Sequence, residues 1–361
     1  MSQTEQKITF GIIGGGWRAE FYLRIAQALP SRFEVAGMVV RDAEKGKRIE
    51  SMFGVRTYRS LDKMLEASDP SFIVLSVPWV ACPGYIAELT ERGVPVLSET
   101  PPAPDLSGLI ELQRFTDAGA KIQVAEQYPF QPRNQAILDI VRSGKLGEIS
   151  HAQVSLAHGY HGIALLRKCL GVGFDEVRIT AKRFGSRITA GPDRGGEPQR
   201  EELIPTHQDI AWFEFPDKHG VFDFTRDQYF SWIRSPRVLI RGTRGEIHND
   251  TVRYLHNFHT PVQAELRRMN AGENGNLEGY YLKGILLGEA WVYSNEFVPA
   301  RLTDDELAIA TCLRKMYDYV NGGESFYSLA EASHDHYLNL LLGKALESGM
   351  TVTSERQPWM G

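Results

Sequence analysis

The sequence predicts an α/β chain in two parts: a doubly wound, parallel-sheet domain of the Rossmann type over residues 1–126, and an α+β domain over 127–361 built on an open, mostly antiparallel sheet. Three features predict it. Apolar runs alternate with helix-period segments through the first third, and a glycine-rich turn follows the first of those runs. Beyond about residue 144, short strands succeed one another across turn residues with few helices between them. The length agrees, because 361 residues exceed what one hydrophobic core fills, about 250 to 300.

Lys7 to Ile13 reads as a short strand, and Gly14-Gly15-Gly16-Trp17-Arg18-Ala19 follows as the turn into a helix whose apolar positions are Phe21, Ile25, Ala26 and Leu29. Gly14 permits the turn, Gly16 lets backbone approach a pyrophosphate, and Ala19 lets the helix pack on the strand. Free amides at the helix start attract anions, so Trp17 and Arg18 join this expected dinucleotide site. Phe33 to Val40 is the next strand, and Ala43 to Phe53 a helix closed by Gly54. A strand-helix-strand unit of this length makes the sheet parallel. Its second strand ends in Val40-Arg41-Asp42, where adenosine ribose is normally read. Arg41 suits the 2′-phosphate of NADP and Asp42 the ribose hydroxyl of NAD; the two equally suit a solvated ion pair.

Ser60 caps a short helix through Glu66, and Phe72 to Val77 is a fully apolar strand. Ser76, Val77, Pro78 and Trp79 lie at its carboxyl end, where they flank a cofactor or close a tight turn. Tyr85 to Arg92 is a helix stopped by Gly93. Val94 to Glu99 is a strand leading into Thr100-Pro101-Pro102, and Leu106 to Ala118 is an amphipathic helix. The last strand of this part, Lys121 to Ala125, opens into Glu126-Gln127-Tyr128.

Asn134 to Ser143 is a helix stopped by Gly144. The strands expected next are Ile149 to Leu156, Glu176 to Ile188, Ile210 to Phe215, Gly220 to Arg226, Arg237 to Arg241 and Gly245 to His248. Gly191 to Arg200, rich in glycine, proline and polar residues, reads as a mobile loop or lid, and Asn270 to Gly279 as another loop. Asp304 to Val320 and Leu329 to Glu347 regain helical periodicity and are placed to pack back on the first domain.

Hydrophobic residues make up 42% and charged residues 24%, the balance of an ordinary globular protein. A net charge of -5 offers no broad basic surface for nucleic acid. Cys82, Cys169 and Cys312 are odd in number and far apart, which fits a reducing compartment and neither a disulfide framework nor a metal cluster. Met1 to Lys7 is polar and no apolar run reaches about 18 residues, so a cytoplasmic protein without a membrane partner is expected.

Several strings resemble the glucose-fructose oxidoreductase and inositol dehydrogenase superfamily (Gfo/Idh/MocA) over nearly the whole chain. They are Gly11-Ile12-Ile13-Gly14-Gly15-Gly16, Ser98-Glu99-Thr100-Pro101, Ser143-Gly144-Lys145-Leu146-Gly147-Glu148-Ile149, His161 through Gly171, and Ile240-Arg241-Gly242-Thr243-Arg244-Gly245. The resemblance implies NAD- or NADP-linked chemistry on a small carbohydrate or cyclitol, with a C-terminal sheet that lines the substrate site and builds contacts in a homo-oligomer, a dimer or tetramer. It also exposes departures. The family's Glu-Lys-Pro is Glu99-Thr100-Pro101 here, so the lysine is missing. The family's acids four residues before and three after the second-domain histidine are Ala157 and Ala164. Ala125-Glu126-Gln127-Tyr128 keeps an amide where the family has one but lacks the arginine that follows it.

His161 is then the expected acid/base, since an imidazole near pKa 6.5 exchanges protons at neutral pH. Tyr160 and Glu99 complete the expected catalytic set. Glu99, Thr100 and Gln127 join Gly14, Gly16, Trp17, Arg18, Ala19, Arg41, Ser76 and Pro78 in the expected cofactor site. Tyr160 and Tyr128 serve as second donors or as pocket walls, and His158 as a contact to substrate. His207 and Asp209, ahead of Trp212, read equally as substrate-facing groups or as a half-exposed strand, and Arg226, Asp227 and Tyr229 as sheet surface or oligomer contacts. The reading is an NAD(P)-dependent oxidoreductase of a sugar, sugar derivative or cyclitol. Its rivals are an NAD-retaining enzyme that cleaves or rearranges a glycoside through transient oxidation, and a non-catalytic cofactor-binding protein.

Overall fold

The computed structural model describes residues 6–276 and 278–361. Residues 1–5 of the polar start and Leu277 of the loop expected over 270–279 lie outside the described residues. The first part runs β1 (Ile8–Ile13), α1 (Ala19–Ala28), β2 (Phe33–Val39), α2 (Ala43–Phe53), β3 (Thr57–Tyr58), α3 (Leu61–Ala67), β4 (Phe72–Leu75), α4 (Cys82–Glu91), β5 (Val96–Ser98), α5 (Leu106–Asp117) and β6 (Ile122–Val124). Its strands pair in parallel in the order β3-β2-β1-β4-β5-β6. The order reverses between β1 and β4, which opens a crevice beyond their carboxyl ends. All four residues of β4 are buried, as a strand covered on both faces requires.

Local signals set the helix limits. Asp42, Ser60 and Asp105 accept from the backbone amides of Lys45, Lys63 and Gly108 and start α2, α3 and α5. α4 begins at Cys82 rather than at the expected Tyr85.

The second part runs α6 (Pro132–Arg142), β7 (Ile149–Ser155), α7 (Gly159–Leu170), β8 (Arg178–Thr189), β9 (Leu203–Glu214), β10 (His219–Thr225), β11 (Arg237–Gly242), β12 (Gly245–His248), β13 (Thr251–Asn257), β14 (Thr260–Ala271), β15 (Tyr281–Leu287), β16 (Ala290–Ser294), α8 (Asp304–Val320), α9 (Leu329–Ser348) and β17 (Val352–Thr353). Its sheet of eleven strands follows the order β16-β15-β14-β13-β12-β11-β7-β10-β9-β8-β17. Every pairing in it is antiparallel except β7 with β10.

This half departs from the sequence reading in extent. β9 starts at Leu203, seven residues before the expected Ile210, because it pairs with β8 along its whole length from Leu203 opposite Thr189 to Glu214 opposite Arg178. β13 to β16 were not expected. β14 alternates half-buried with exposed positions, so its strand character comes from pairing with β13 and β15 rather than from an apolar stripe.

The C-terminal helices return to the first sheet. Leu307, Leu313 and Met316 of α8 share one buried cluster with Phe10, Ile25 and Phe33. The side-chain oxygen of Gln123, on β6, accepts from the Phe326 and Tyr327 amides just before α9. This return brings α7, the start of α8 and the end of α9 to the carboxyl edge of the parallel sheet, where the cleft lies.

Candidate active site

A cleft of about 2280 Å³ lies between the carboxyl edge of the parallel sheet and the second sheet. On the first side it is lined by Gly14 to Arg18, Arg41, Asp42, Ser76 to Trp79, Glu99 and Thr100, and on the second by Gln127, Tyr128, His158, Tyr160 and His161. Ala19 is buried and outside this lining, so it serves the packing of α1.

The glycine-rich turn has the shape that a diphosphate needs. Gly14 sits at φ 115°, and a Cβ there would fall on the carbonyl oxygen of Ser76, far inside contact distance. A Cβ on Gly16 would meet nothing within 4 Å, because that position faces the cleft. The residues present therefore fit a dinucleotide: one glycine holds the strands close and the next keeps the approach open. Trp17 stands at the rim, and Arg194 of the loop after β8 places its guanidinium 3.9 Å from the indole centroid. The expected lid thus reaches from the second sheet to the nucleotide turn.

Arg18 and Glu99 hold each other rather than standing free. Arg18 Nε donates to Glu99 Oε1 at 2.9 Å, and Tyr22 donates to the same oxygen at 2.5 Å. Their expected roles change accordingly: Glu99 anchors Arg18 and Tyr22 beside the cleft, while His161 bonds Glu126 and Tyr160 the Thr100 carbonyl. Asp42 is committed in part to capping α2 through Lys45 N at 2.9 Å, while Arg41 lies exposed at the cleft edge.

His161 reaches the cleft from the first turn of α7. Gly159 opens this helix at φ 42°, and a Cβ there would collide with the side chain of Asn339 on α9. His161 Nδ1 shares a hydrogen bond of 2.6 Å with Glu126 Oε2, and both side chains are buried. Glu126 Oε1 also accepts from Tyr128 N at 3.2 Å. Burial pushes the Glu126 carboxyl up to about 8, with the charge of Glu99 adding to it. Burial, with the Arg18 charge, brings His161 down to about 3, away from the ordinary imidazole value expected from sequence.

His158 Nδ1 bonds the Tyr229 hydroxyl at 2.5 Å, and the same hydroxyl accepts from His158 N at 3.0 Å. Burial first, then the neighbouring His161 and Arg226, lowers His158 to about 4, which leaves it a neutral imidazole. Tyr160 OH points to the Thr100 carbonyl oxygen at 3.5 Å, and burial raises its phenol.

Arg226, Asp227 and Tyr229, expected as sheet surface or oligomer contacts, line the cleft. The cause is the turn after β10, which carries residues 226–229 over the cleft instead of continuing the strand. His207 and Asp209 line it too, Asp209 in a two-bond pair with Arg183 at 2.6 and 2.8 Å; Trp212 is exposed and outside the lining. Ala157, just before α7, and Ala164, within it, are both wholly buried, so neither position brings an acid to His161. Glu126 approaches it from the end of β6 instead. Sequence reasoning missed this pairing, although a carboxylate closing a buried apolar strand at a crevice was a legible signal.

Fold and cleft define a two-part protein in which a Rossmann-type nucleotide turn faces an imidazole carried by a second, antiparallel sheet. Residues 8–126 match the family Gfo/Idh/MocA, described as "Oxidoreductase family, NAD-binding Rossmann fold". It is 26% identical over 211 residues to an inositol 2-dehydrogenase of Leifsonia xyli subsp. xyli (strain CTCB07), an alignment covering 54% of this chain and 62% of that protein. The chain spans about half the length of the curated relatives it matches. Among solved structures it is similar to a levoglucosan dehydrogenase in complex with NADH and levoglucosan, with TM-score 0.70, 13% identity and coverage of 97% and 100% of the two chains. It is also similar to an oxidoreductase from Agrobacterium radiobacter in complex with NAD+, L-tartaric acid and magnesium, with TM-score 0.68, 16% identity and coverage of 96% and 98%. At these identities the two structures share its fold. Among the described residues no helix is long and apolar enough to cross a membrane, and no cluster of His, Cys, Asp and Glu is arranged to hold a metal ion.

Proposed function

We propose that this protein is an NAD- or NADP-dependent oxidoreductase that moves a hydride between the nicotinamide and a secondary alcohol of a sugar, sugar derivative or cyclitol. The observation that carries this reading is the cleft that holds Gly14 to Gly16 on one wall and the His161 imidazole, backed by Glu126, on the other. The family match over residues 8–126 and the similarity to an inositol 2-dehydrogenase support the same chemistry.

Gly14 to Gly16 and the start of α1 hold the diphosphate, Arg41 and Asp42 meet the adenosine end, and Ser76, Pro78 and Thr100 flank the inner end. When bound, the nicotinamide supplies the hydride chemistry. The remaining task for the chain is orientation and one proton. Tyr128, His158, Tyr160 and Tyr229 form an aromatic wall with hydroxyl and imidazole edges, suited to the face and hydroxyls of a ring polyol. Thr100 offers a neutral hydroxyl where the family has a cation, so the substrate oxygen is positioned here without a lysine charge. His161, with Nδ1 held by Glu126, presents Nε2 to the hydroxyl or carbonyl oxygen.

The test is a screen of the full chain with NAD+ and with NADP+, myo-inositol and levoglucosan heading a panel of sugars and cyclitols. Absorbance of reduced nicotinamide is expected, and His161→Ala lowers turnover by about 10² to 10⁴. Absence of reduction across the panel, or undiminished turnover in H161A, overturns the reading.

A further inference from the structure

We propose that Glu126 and His161 work as one proton-holding pair, in which Glu126 is the positioning residue that takes and returns the Nδ1 proton while His161 Nε2 exchanges the substrate's hydroxyl proton. The inference rests on the oxidoreductase reading for its substrate and on geometry for the pair. The Nδ1 to Oε2 separation is 2.6 Å, at the short end for such bonds. Both side chains are buried, and His161 also lines the cleft, which leaves Nε2 as the ring nitrogen not engaged by Glu126. Glu126 Oε1 is held by Tyr128 N, which fixes the carboxyl plane against the ring.

The surroundings decide how many protons the pair keeps. Arg18, Glu99, Tyr128, His158, Tyr160, Asp305, Cys312 and Tyr327 are the titratable groups that face it. Arg18 is the cation among them and is already paired with Glu99 at 2.9 Å, while Asp305 adds a negative charge. A buried site without a spare cation favours the uncharged state of both partners. In that state the Glu126 carboxylic acid donates to Nδ1, and the proton on the ring sits on Nε2, facing the cleft. The raised carboxyl and lowered imidazole agree with this arrangement.

Loss of one proton from the pair reverses the bond. The Glu126 carboxylate then accepts from Nδ1-H, and Nε2 carries a lone pair. Alcohol oxidation starts from this form: the substrate O–H bond breaks and its proton goes to Nε2, the C–H electron pair leaves with its hydrogen to the bound nicotinamide, and the Nδ1 proton passes to Glu126 Oε2. The products are a carbonyl, reduced cofactor and the neutral pair. Carbonyl reduction runs the same transfers backward. The pair thus does with a carboxyl and an imidazole what a lone imidazole lowered to about 3 cannot do, since Nε2 gains basicity as Glu126 takes the other proton.

The test reads the two ring nitrogens of His161 directly, in the full chain labelled with 15N-histidine, with and without NAD+, and assigned by loss of signal in His161→Gln. In the wild type the ring is expected to show the Nε2-H tautomer below a single step at about pH 8 and the Nδ1-H tautomer above it, with no imidazolium between pH 5 and 9. Glu126→Gln, which keeps the shape without a titrating carboxyl, abolishes the step in that range, and Glu126→Asp retains one. An imidazolium signal that titrates near 6.5 in the wild type, or the same step in E126Q, overturns the pair; the wild-type curve decides even where a variant does not fold. With a polyol that the screen shows to be oxidised, the wild-type kcat rises through the step, and E126Q loses that rise. Failure of NAD+ binding or of every polyol instead removes the oxidoreductase reading, and the nitrogen titration still decides the pair.

Discussion

Gly14 and Gly16 lie two residues apart in one turn, yet their substitution by alanine is expected to break different things. At Gly14 a methyl group is forced onto the Ser76 carbonyl oxygen, and the backbone sits at φ 115°, where a side chain is strained. The carbonyl has no room to retreat, because Ser76 N is bonded to Ile13 O at 2.9 Å and so ties the two strands whose ends form the crevice. Strain of about 1–3 kcal/mol and overpacking of about 1–3 kcal/mol together predict a loss of roughly 2–6 kcal/mol for Gly14→Ala. At Gly16 the added methyl meets no atom within 4 Å, so Gly16→Ala is expected to leave stability unchanged or slightly higher. It instead occupies space in the approach to the turn, and a 1–3 kcal/mol overpacking cost in the complex corresponds to about 5- to 150-fold weaker dinucleotide binding. Urea unfolding by circular dichroism and NAD+ titration by quenching of tryptophan fluorescence read the two effects separately. The reasoning is refuted if G14A unfolds at the wild-type midpoint, or if G16A binds NAD+ with wild-type affinity.

Other outcomes follow from single contacts. Arg41→Ala is expected to shift the ratio of NADP to NAD affinity toward NAD by about tenfold, as for a charge-assisted bond partly open to water; an unmoved ratio removes Arg41 from the adenosine site. Arg194→Ala removes a cation from above Trp17, a contact of about 0.5–1 kcal/mol at an exposed site, and should speed NAD+ dissociation about 2- to 5-fold in stopped flow. Equal rates would mean that the loop does not retain the cofactor. Burial, with the Arg167 charge, lowers buried His334 to about 3, so the folded state resists a proton that the unfolded chain takes up near 6.5. That stability is fully present above pH 6.5 and is lost as pH falls toward 3; at pH 5 the loss is about 2 kcal/mol. His334→Gln should therefore show a smaller drop in urea midpoint between pH 7 and pH 5 than the wild type, and equal drops would refute the assignment.

The wall of the cleft around His161 shows how a side chain from a distant segment supplies a contact that its own segment does not. Ala157, just before α7, and Ala164, within it, stand where the resemblance led acids to be expected, and both are fully buried. The carboxyl that His161 does meet arrives from the end of β6, thirty-five positions earlier in the chain, through a bond that exists because α7 crosses that strand's carboxyl end. The network nearby follows a similar pattern: Arg167 of α7 is buried, with Nη1 on Asp335 at 2.5 Å and Nη2 on the Gly173 carbonyl at 2.7 Å, so its charge is held by groups from the following turn and from α9.

Read without its folded form, this chain already determined the parallel sheet, the nucleotide turn and the limits of its first helices, because those depend on neighbours a few residues apart: a cap on an amide, a glycine at positive φ, an apolar run between them. It also singled out His161. Tertiary structure alone decided that β9 begins at Leu203, that residues 251–294 form four strands, that the turn at 226–229 closes over the cleft, and that Glu126 rather than Glu99 backs the imidazole. Each of these is a pairing between segments far apart in sequence, and a half-exposed strand or a single buried carboxyl carries little local signal until its partner is in place.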